Sequence, residues 1–189
     1  MKAIGPNSSL RDVSLAVGRA LARHRIRAVL TGGACASLHA AGRYLSDDID
    51  FVLGGRVSVS ELDRAMASLG FVREANRYVH PRSDLWVEFP RGPLAVGADL
   101  DVAVVEIRGR AGSVIALSPT DSCRDRLAAF YHWSDRQSLE VAVAIAVRNE
   151  VDLERIRRWS EGEGHVARFE EFRRELERRS SGSSRKRDP

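Results

Sequence analysis

The segment Thr31–Leu53, TGGACASLHAAGRYLSDDIDFVL, constrains the fold more than any other part of the chain. Before it stands Arg27-Ala-Val-Leu-Thr31, a short apolar, β-branched run that reads as a buried strand ending at Gly32 and Gly33. After the glycines, Ala34–Ala41 is a good helix former, closed by Gly42 at the position just beyond the C-cap. Asp48–Leu53 then returns to strand character, with Gly54 and Gly55 as its turn. Two strands separated by one short helix commit this part of the chain to a sheet with a helix packed on it.

The flanking sequence extends that pattern. Ser9 and Asp12 form a capping box opening a helix to about Arg23, with Leu10, Val13, Val17 and Leu21 at helical spacing. Ser58 and Glu61 open another, which Gly70 ends after about Leu69. Strands are expected around 71–74, 78–80 and 85–89, then a loop over 90–98 rich in glycine and proline. Strands at 101–108 and 113–117 are joined by Arg-Gly-Arg-Ala-Gly as a hairpin.

At Ser118-Pro119 the pattern turns helical and stays so, with helices expected over about 120–133, 137–148, 153–159 and 165–179. The fold class is therefore α+β: a core over 1–118, a helical annex over 119–180, and a basic, disordered tail over 181–189. Trp133 and Trp159 are assigned to the annex core. Phe169, Phe172 and Leu176 recur at helical spacing, which makes the last helix an amphipathic packing helix.

Composition narrows the class of protein. With 189 residues, 43% apolar and 30% charged, the chain has the balance of a soluble globular protein. No apolar run approaches the roughly 20 residues of a membrane span, and the N-terminus has no signal-peptide core, so the expected location is the cytoplasm. Cys35 and Cys123 have neither disulfide-framework nor zinc-site spacing and are read as small core or helix residues. The net charge is +4, and lysine occurs only at Lys2 and Lys186. Arginine's planar fork suits bidentate phosphate binding, although a biased genome gives the same composition.

The chemistry concentrates in the opening segment. On one strand, alternation turns Asp48 and Asp50 to the same face, with Cα atoms about 6.5–7 Å apart, while Ile49 and Phe51 face the core. Two hard oxygen donors there can share a cation, which relieves their mutual repulsion. Gly32 and Gly33 precede a helix, where free backbone N–H groups and the helix dipole favour an anion. If the strand bearing the aspartates runs back beside the first, metal and triphosphate become neighbours, as phosphoryl or nucleotidyl transfer requires. The simpler alternative is a glycine turn and, separately, a solvated strand start capped by Ser46 or Asp47.

Gly-Gly, a helix, then Asp-Ile-Asp-Phe resembles the signature of the DNA polymerase β-type nucleotidyltransferase superfamily. Within it, Arg43-Tyr-Leu-Ser46-Asp-Asp48-Ile-Asp50-Phe resembles the abortive-infection and toxin–antitoxin nucleotidyltransferases, with Arg43 one residue further from Ser46 than their motif places it. The resemblance covers most of residues 27 to about 160 and is specific at Gly-Gly and Asp-Ile-Asp. It implies a small mixed sheet with flanking helices, and a third carboxylate on a neighbouring strand. Glu88, between Val87 and Phe89, is the first choice, and Asp99 or Asp101 the runner-up. In Ser118–Ala129 it places Arg126 where the family usually has lysine, followed by Asp135. The alternative is that Asp125, Arg126, Asp135 and Arg136 form surface ion pairs. His132, beside aromatic residues, is read as a packed helix residue.

What the resemblance implies is transfer of a nucleoside monophosphate from an NTP to an acceptor hydroxyl. Asp48, Asp50 and Glu88 would hold Mg2+ or Mn2+, and Gly32, Gly33, Ser46 and Arg126 the nucleotide. The acceptor would be RNA, such as a tRNA end, or a protein, in a toxin-like enzyme with a possible antitoxin partner. Two alternatives stay open: a small-molecule nucleotidyltransferase of aminoglycoside type, and a catalytically degenerate nucleotide-binding regulatory module. A basic nucleic-acid binder without catalysis has only the charge and the tail in its favour.

Overall fold

The strand that carries the acidic pair lies in the middle of the molecule. In the computed structural model, which describes residues 4–42 and 46–184 and side chains through residue 181, β2 (Asp48–Leu53) is the central strand of a seven-stranded sheet. Its neighbour on one side is β1 (Ala28–Thr31), antiparallel, and on the other β5 (Ser83–Glu88), parallel. Beyond β5 come β4 (Arg77–His80) and β3 (Val72–Glu74), and beyond β1 come β7 (Gly112–Leu117) and β6 (Val104–Gly109). β1 and β7 are parallel and the outer pairs antiparallel, so the sheet is mixed. Ile49 and Phe51 are fully buried, as the alternation requires, whereas Asp48 and Asp50 are half-buried on the opposite face.

Helix α1 (Leu10–Arg23) starts where Ser9 accepts the Asp12 N–H at 3.1 Å. Its apolar stripe packs on the sheet, and Gly18 permits a close approach: a Cβ there would stand 2.7 Å from the Ser113 carbonyl on β7. Helix α2 (Gly32–His39) follows β1 without a loop. The residue after its C-cap is Ala41 and not Gly42; both take left-handed φ, at 55° and 73°, and the Gly42 N–H closes on the Ser37 carbonyl at 2.9 Å. Helix α3 (Val59–Ala67) has the full Ser58/Glu61 capping box and stops short of Leu69.

β6 begins at Val104, later than the expected Asp101. The reason lies in the hydrogen bonds of the preceding residues: the Asp101 N–H goes to the Asp99 carboxylate at 2.8 Å and the Ala103 N–H to the Asp121 carboxylate at 2.8 Å. Backbone donors satisfied by side chains cannot also join a ladder.

The annex comprises α4 (Pro119–Trp133), α5 (Arg136–Arg148), α6 (Leu153–Gly162) and α7 (Val166–Ser184). Leu127, Phe130, Leu139, Ile145, Ile156, Phe169 and Phe172 form a second apolar core, which Ala36 and Ala40 of α2 join. α2 thus lies between the sheet and the annex. Trp159 is buried there, but Trp133 is 77% exposed, against expectation, because it ends α4 just before the left-handed Ser134. α7 runs on to Ser184, past the expected stop near Arg179, so the first residues of the expected tail are helical. The rest of that tail lies outside the described residues. Cys35 and Cys123 are both free and buried, and burial pushes the Cys35 thiol up to about 12, which leaves it inert.

A buried arginine fastens the loop before β6 to the annex. Arg124 is fully enclosed, donates to the equally buried Asp121 at 2.6 Å, pairs with Asp99, and lies over the Trp159 ring at 5.1 Å. Arg155 adds contacts to Asp121 and Asp101 at 3.6 and 3.5 Å. Removing one partner of a buried pair strands the other's charge. Arg124→Met is therefore expected to lower unfolding free energy by about 3–5 kcal/mol in chemical denaturation. A loss under about 1 kcal/mol, the scale of an exposed pair, would contradict this reading.

Candidate functional site

Register assembles the site. Asp50 faces Thr31 across the β1–β2 pair and Glu88 across the β2–β5 pair, and Asp48 faces Trp86. Because cross-strand partners point to the same side and neighbouring strands are about 4.8 Å apart, Asp48, Asp50 and Glu88 share one face of the sheet. β4 extends the row by pairing Arg77 with Glu88. A line of side chains, Arg77–Glu88–Asp50–Thr31, thus crosses four strands.

The glycine turn meets that row directly. Thr31 is the N-cap of α2 but makes no side-chain capping bond, and Gly32 opens the helix with φ +62°. A Cβ on Gly32 would stand 2.7 Å from Asp50 Oδ2, closer than real side-chain carbons approach. The left-handed backbone angle favours glycine at this position, and a Cβ would displace the Asp50 carboxylate. Gly33 is buried in the first turn of the same helix. Ser46 donates its hydroxyl to Asp48 Oδ1, which fixes that carboxylate. Arg43 lies outside the described residues.

Glu88 accepts the indole N–H of Trp86 at 3.2 Å, and the guanidinium of Arg77 lies 5.2 Å from the centre of that indole. The other two candidates for a third carboxylate are elsewhere. Asp99 is held by Arg124 and Asp101 is 89% exposed beside Arg155, both in the loop that leads to the far edge strand β6. Glu88 alone of the three stands on the strand next to β2.

From the annex, α4 brings Asp125 and Arg126. They bond each other at 2.6 Å, with side chains mostly covered, and the charges of both reach Asp50. Asp125 was not foreseen as facing the site; nothing in its local sequence distinguishes it from the acids of a solvated helix. Asp135 instead caps α5, accepting the Gln137 N–H at 2.9 Å, and Arg136 pairs with Glu171. His132 lies 3.6 Å from Glu163 and against the rings of Trp133 and His165, away from the carboxylate row.

The electrostatics follow from this crowding. Burial pushes the Asp50 carboxyl up to about 6, helped by the negative charges of Asp48, Glu88 and Asp125 in that order and opposed by Arg126. Among the described residues no three His, Cys, Asp or Glu side chains stand close enough to enclose an ion unaided. At neutral pH the face thus carries carboxylates held together against their repulsion, beside a helix N-terminus that attracts anions.

No family model and no curated protein matches the sequence. Among solved structures, the chain is similar to an antigenic nucleotidyltransferase-like protein from Paracoccidioides brasiliensis, with a TM-score of 0.54 and 17% identity over 75% of this chain and 77% of that one. A second similarity is to the solution structure of the antibiotic-resistance factor ANT(2'')-Ia, with a TM-score of 0.46 and 12% identity over 93% and 95% of the two chains. The first likeness is one of fold: the chain has a nucleotidyltransferase-like α+β fold.

The raised carboxyl carries a pH signature. Asp50 holds its proton more tightly when folded than its ordinary value of 3.8 allows when unfolded, so its contribution to stability is full below about pH 4 and is lost as pH climbs through about 6. Asp50→Asn, which cannot ionise, is expected to be more stable than wild type above about pH 6 and to lose that advantage below about pH 4. Denaturation midpoints measured across this range decide it; an advantage that does not change with pH would contradict the assignment.

Proposed function

We propose that the chain is a metal-dependent nucleotidyltransferase, which moves a nucleoside monophosphate from an NTP to an acceptor hydroxyl. The observation that carries this reading is the alignment of Asp48 and Asp50 on β2 with Glu88 on β5, against the glycine start of α2.

The donor set fits Mg2+ or Mn2+. All three groups are hard oxygen donors, and Asp50 is already strained by neighbouring negative charge that a divalent ion would neutralise. Mg2+ is commonly held by one or two carboxylates plus substrate phosphates, which suits a site where protein groups alone do not enclose an ion. When bound, the ion would neutralise phosphate charge and polarise the phosphorus centre.

The chain's own residues then have distinct tasks. Asp48, oriented by Ser46, and Asp50 would hold the cation. The N–H groups of Gly32 and Gly33 would receive the β and γ phosphates, which the positive end of α2 favours. Arg126 lies at the annex side of the same face, and its fork suits the triphosphate as a clamp. Ser46 shares that phosphate-side location. Glu88 completes the metal site or takes the proton of the attacking hydroxyl. In the transfer, the acceptor oxygen bonds to the α phosphorus, the bond from that phosphorus to the bridging oxygen breaks, and pyrophosphate leaves with the electron pair.

The finer reading is a toxin-like enzyme acting on RNA, such as a tRNA end, or on a protein hydroxyl, and held in check by an antitoxin partner. Its support is the Ser46-Asp-Asp48-Ile-Asp50 motif, in which Ser46 is bonded to Asp48. Among the described residues no helix is long and apolar enough to cross a membrane.

The deciding experiment incubates the protein with each labelled NTP, Mg2+ and total RNA, protein or small acceptors, alongside Asp48→Ala/Asp50→Ala. The expected result is label transfer by wild type that falls at least about 100-fold in the double variant, the scale of a lost charge-stabilising group. Transfer that survives in the double variant would defeat the metal site. No transfer to any acceptor with any NTP would leave the degenerate nucleotide-binding module as the better account.

A further inference from the structure

Arg77 and Trp86 stand together beside Glu88 as a cation–aromatic pair, and the transfer chemistry does not use either of them. Arg77 is the cross-strand partner of Glu88, so their Cα atoms are separated by about one strand spacing on the same face. Its guanidinium lies over the Trp86 indole, 5.2 Å from the ring centre. The indole is itself anchored, donating to Glu88 Oε1 at 3.2 Å. Among the described residues Arg77 makes no salt bridge, although Glu74 is its partner on β3.

An exposed arginine that makes no salt bridge yet is held in place is unusual, because fixing the long side chain costs rotamer entropy. Here the indole holds the exposed guanidinium about one strand away from the third carboxylate, where its planar cationic group is open to a ligand. Unpaired nucleobases stack on arginine planes and aromatic rings, and RNA recognition relies on such stacking for splayed, single-stranded ends. A base resting there would place its own ribose at the distance of the neighbouring strand, where Glu88 stands.

We propose that the Arg77–Trp86 pair is the acceptor platform, and that it takes the unpaired terminal base of an RNA so that a hydroxyl of its ribose lies beside Glu88. This rests on the nucleotidyl-transfer reading and chooses one acceptor class within it. Glu74 and Asp84 stand on the same face, which keeps the area from being a uniform cationic patch, so selection rests on stacking and not on bulk charge. A polycationic small molecule gains nothing from a fixed guanidinium at the acceptor side. A serine or threonine hydroxyl supplies no plane to stack.

The test separates binding from transfer. Binding of a fluorescein-labelled single-stranded RNA with an unpaired 3′ end is followed by anisotropy without NTP, and KM is measured for RNA and for NTP, in wild type, Arg77→Ala, Arg77→Lys and Trp86→Phe. Arg77→Ala is expected to weaken RNA binding and raise KM for RNA about 10- to 100-fold, the scale of one lost base stack, with KM for NTP unchanged. Arg77→Lys, which keeps the charge and loses the plane, should recover little, whereas Trp86→Phe should keep most of the binding.

Equal RNA affinity in wild type and Arg77→Ala would overturn the proposal, as would full recovery by Arg77→Lys. Transfer to a polycation or a protein with none to RNA, abolished in Asp48→Ala/Asp50→Ala, would overturn the platform and leave the enzyme reading standing. RNA binding that depends on Arg77 without any nucleotidyl transfer would uphold the base-stacking site, and would defeat the enzyme reading and with it the acceptor role.

Discussion

The structure depends on the two-sided character of β2. Ile49 and Phe51 sit at zero exposure in the apolar core, while Asp48 and Asp50 project from the other face. A register slip of one residue would bury the carboxylates and expose the apolar pair, so the core itself fixes where the acids point. Being central, β2 also fixes its neighbours: β1 delivers Thr31 and the start of α2 to one side of Asp50, and β5 delivers Glu88 to the other. The site is in this sense a by-product of core packing, held by the same strand that the fold cannot do without.

That arrangement carries an electrostatic cost. A half-buried carboxyl flanked by Asp48, Glu88 and Asp125 is pushed toward its neutral form, and Arg126 opposes the shift only in part. A protein selected for stability alone gains nothing from such crowding, which is what makes it informative about function. Gly32 adds a second constraint of the same kind. It accepts a left-handed φ, and the space a Cβ would take is occupied by the Asp50 carboxylate. Glycine, helix N-terminus and acid are therefore packed into one small volume in which a cation and an anion would each find complementary charge.

Much of this was legible in the sequence because the signals were local and periodic. The alternation in Asp-Ile-Asp-Phe, the helix caps at Ser9 and Ser58, of which only Ser58 forms the full capping box, and the Ser118-Pro119 turn to helices map onto the observed elements. What local pattern could not supply was partner choice across long sequence separations. That Glu88, not Asp101, stands on the strand beside β2 is a fact of sheet order, which places β5 beside β2 and β6 at the opposite edge. Arg124 and Asp121 read as an ordinary charged helix turn, yet both are wholly buried because Asp99 and Ala103 come back against them from the preceding loop. Trp133 and Trp159 look alike in sequence; one ends a helix in solvent and the other lies under a guanidinium.

Helix α4 links the buried ion pairs to the carboxylate row. Residues two apart on an α-helix point to nearly opposite sides, since each residue turns the helix by about 100°. Arg124 accordingly points inward to Asp99, Asp121 and Trp159, while Arg126 reaches the charge field of Asp50. The buried arginine thus sets the position of Arg126: as long as its pairs hold the loop before β6 against the annex, α4 cannot roll without stranding a buried charge. A lysine at position 126 could follow a moving phosphate with a flexible stem, whereas an arginine presents a fixed fork and depends more on where its backbone stands. The rigid anchoring of α4 at Arg124 supplies the backbone precision that an arginine clamp, in the proposed reaction, requires of its helix.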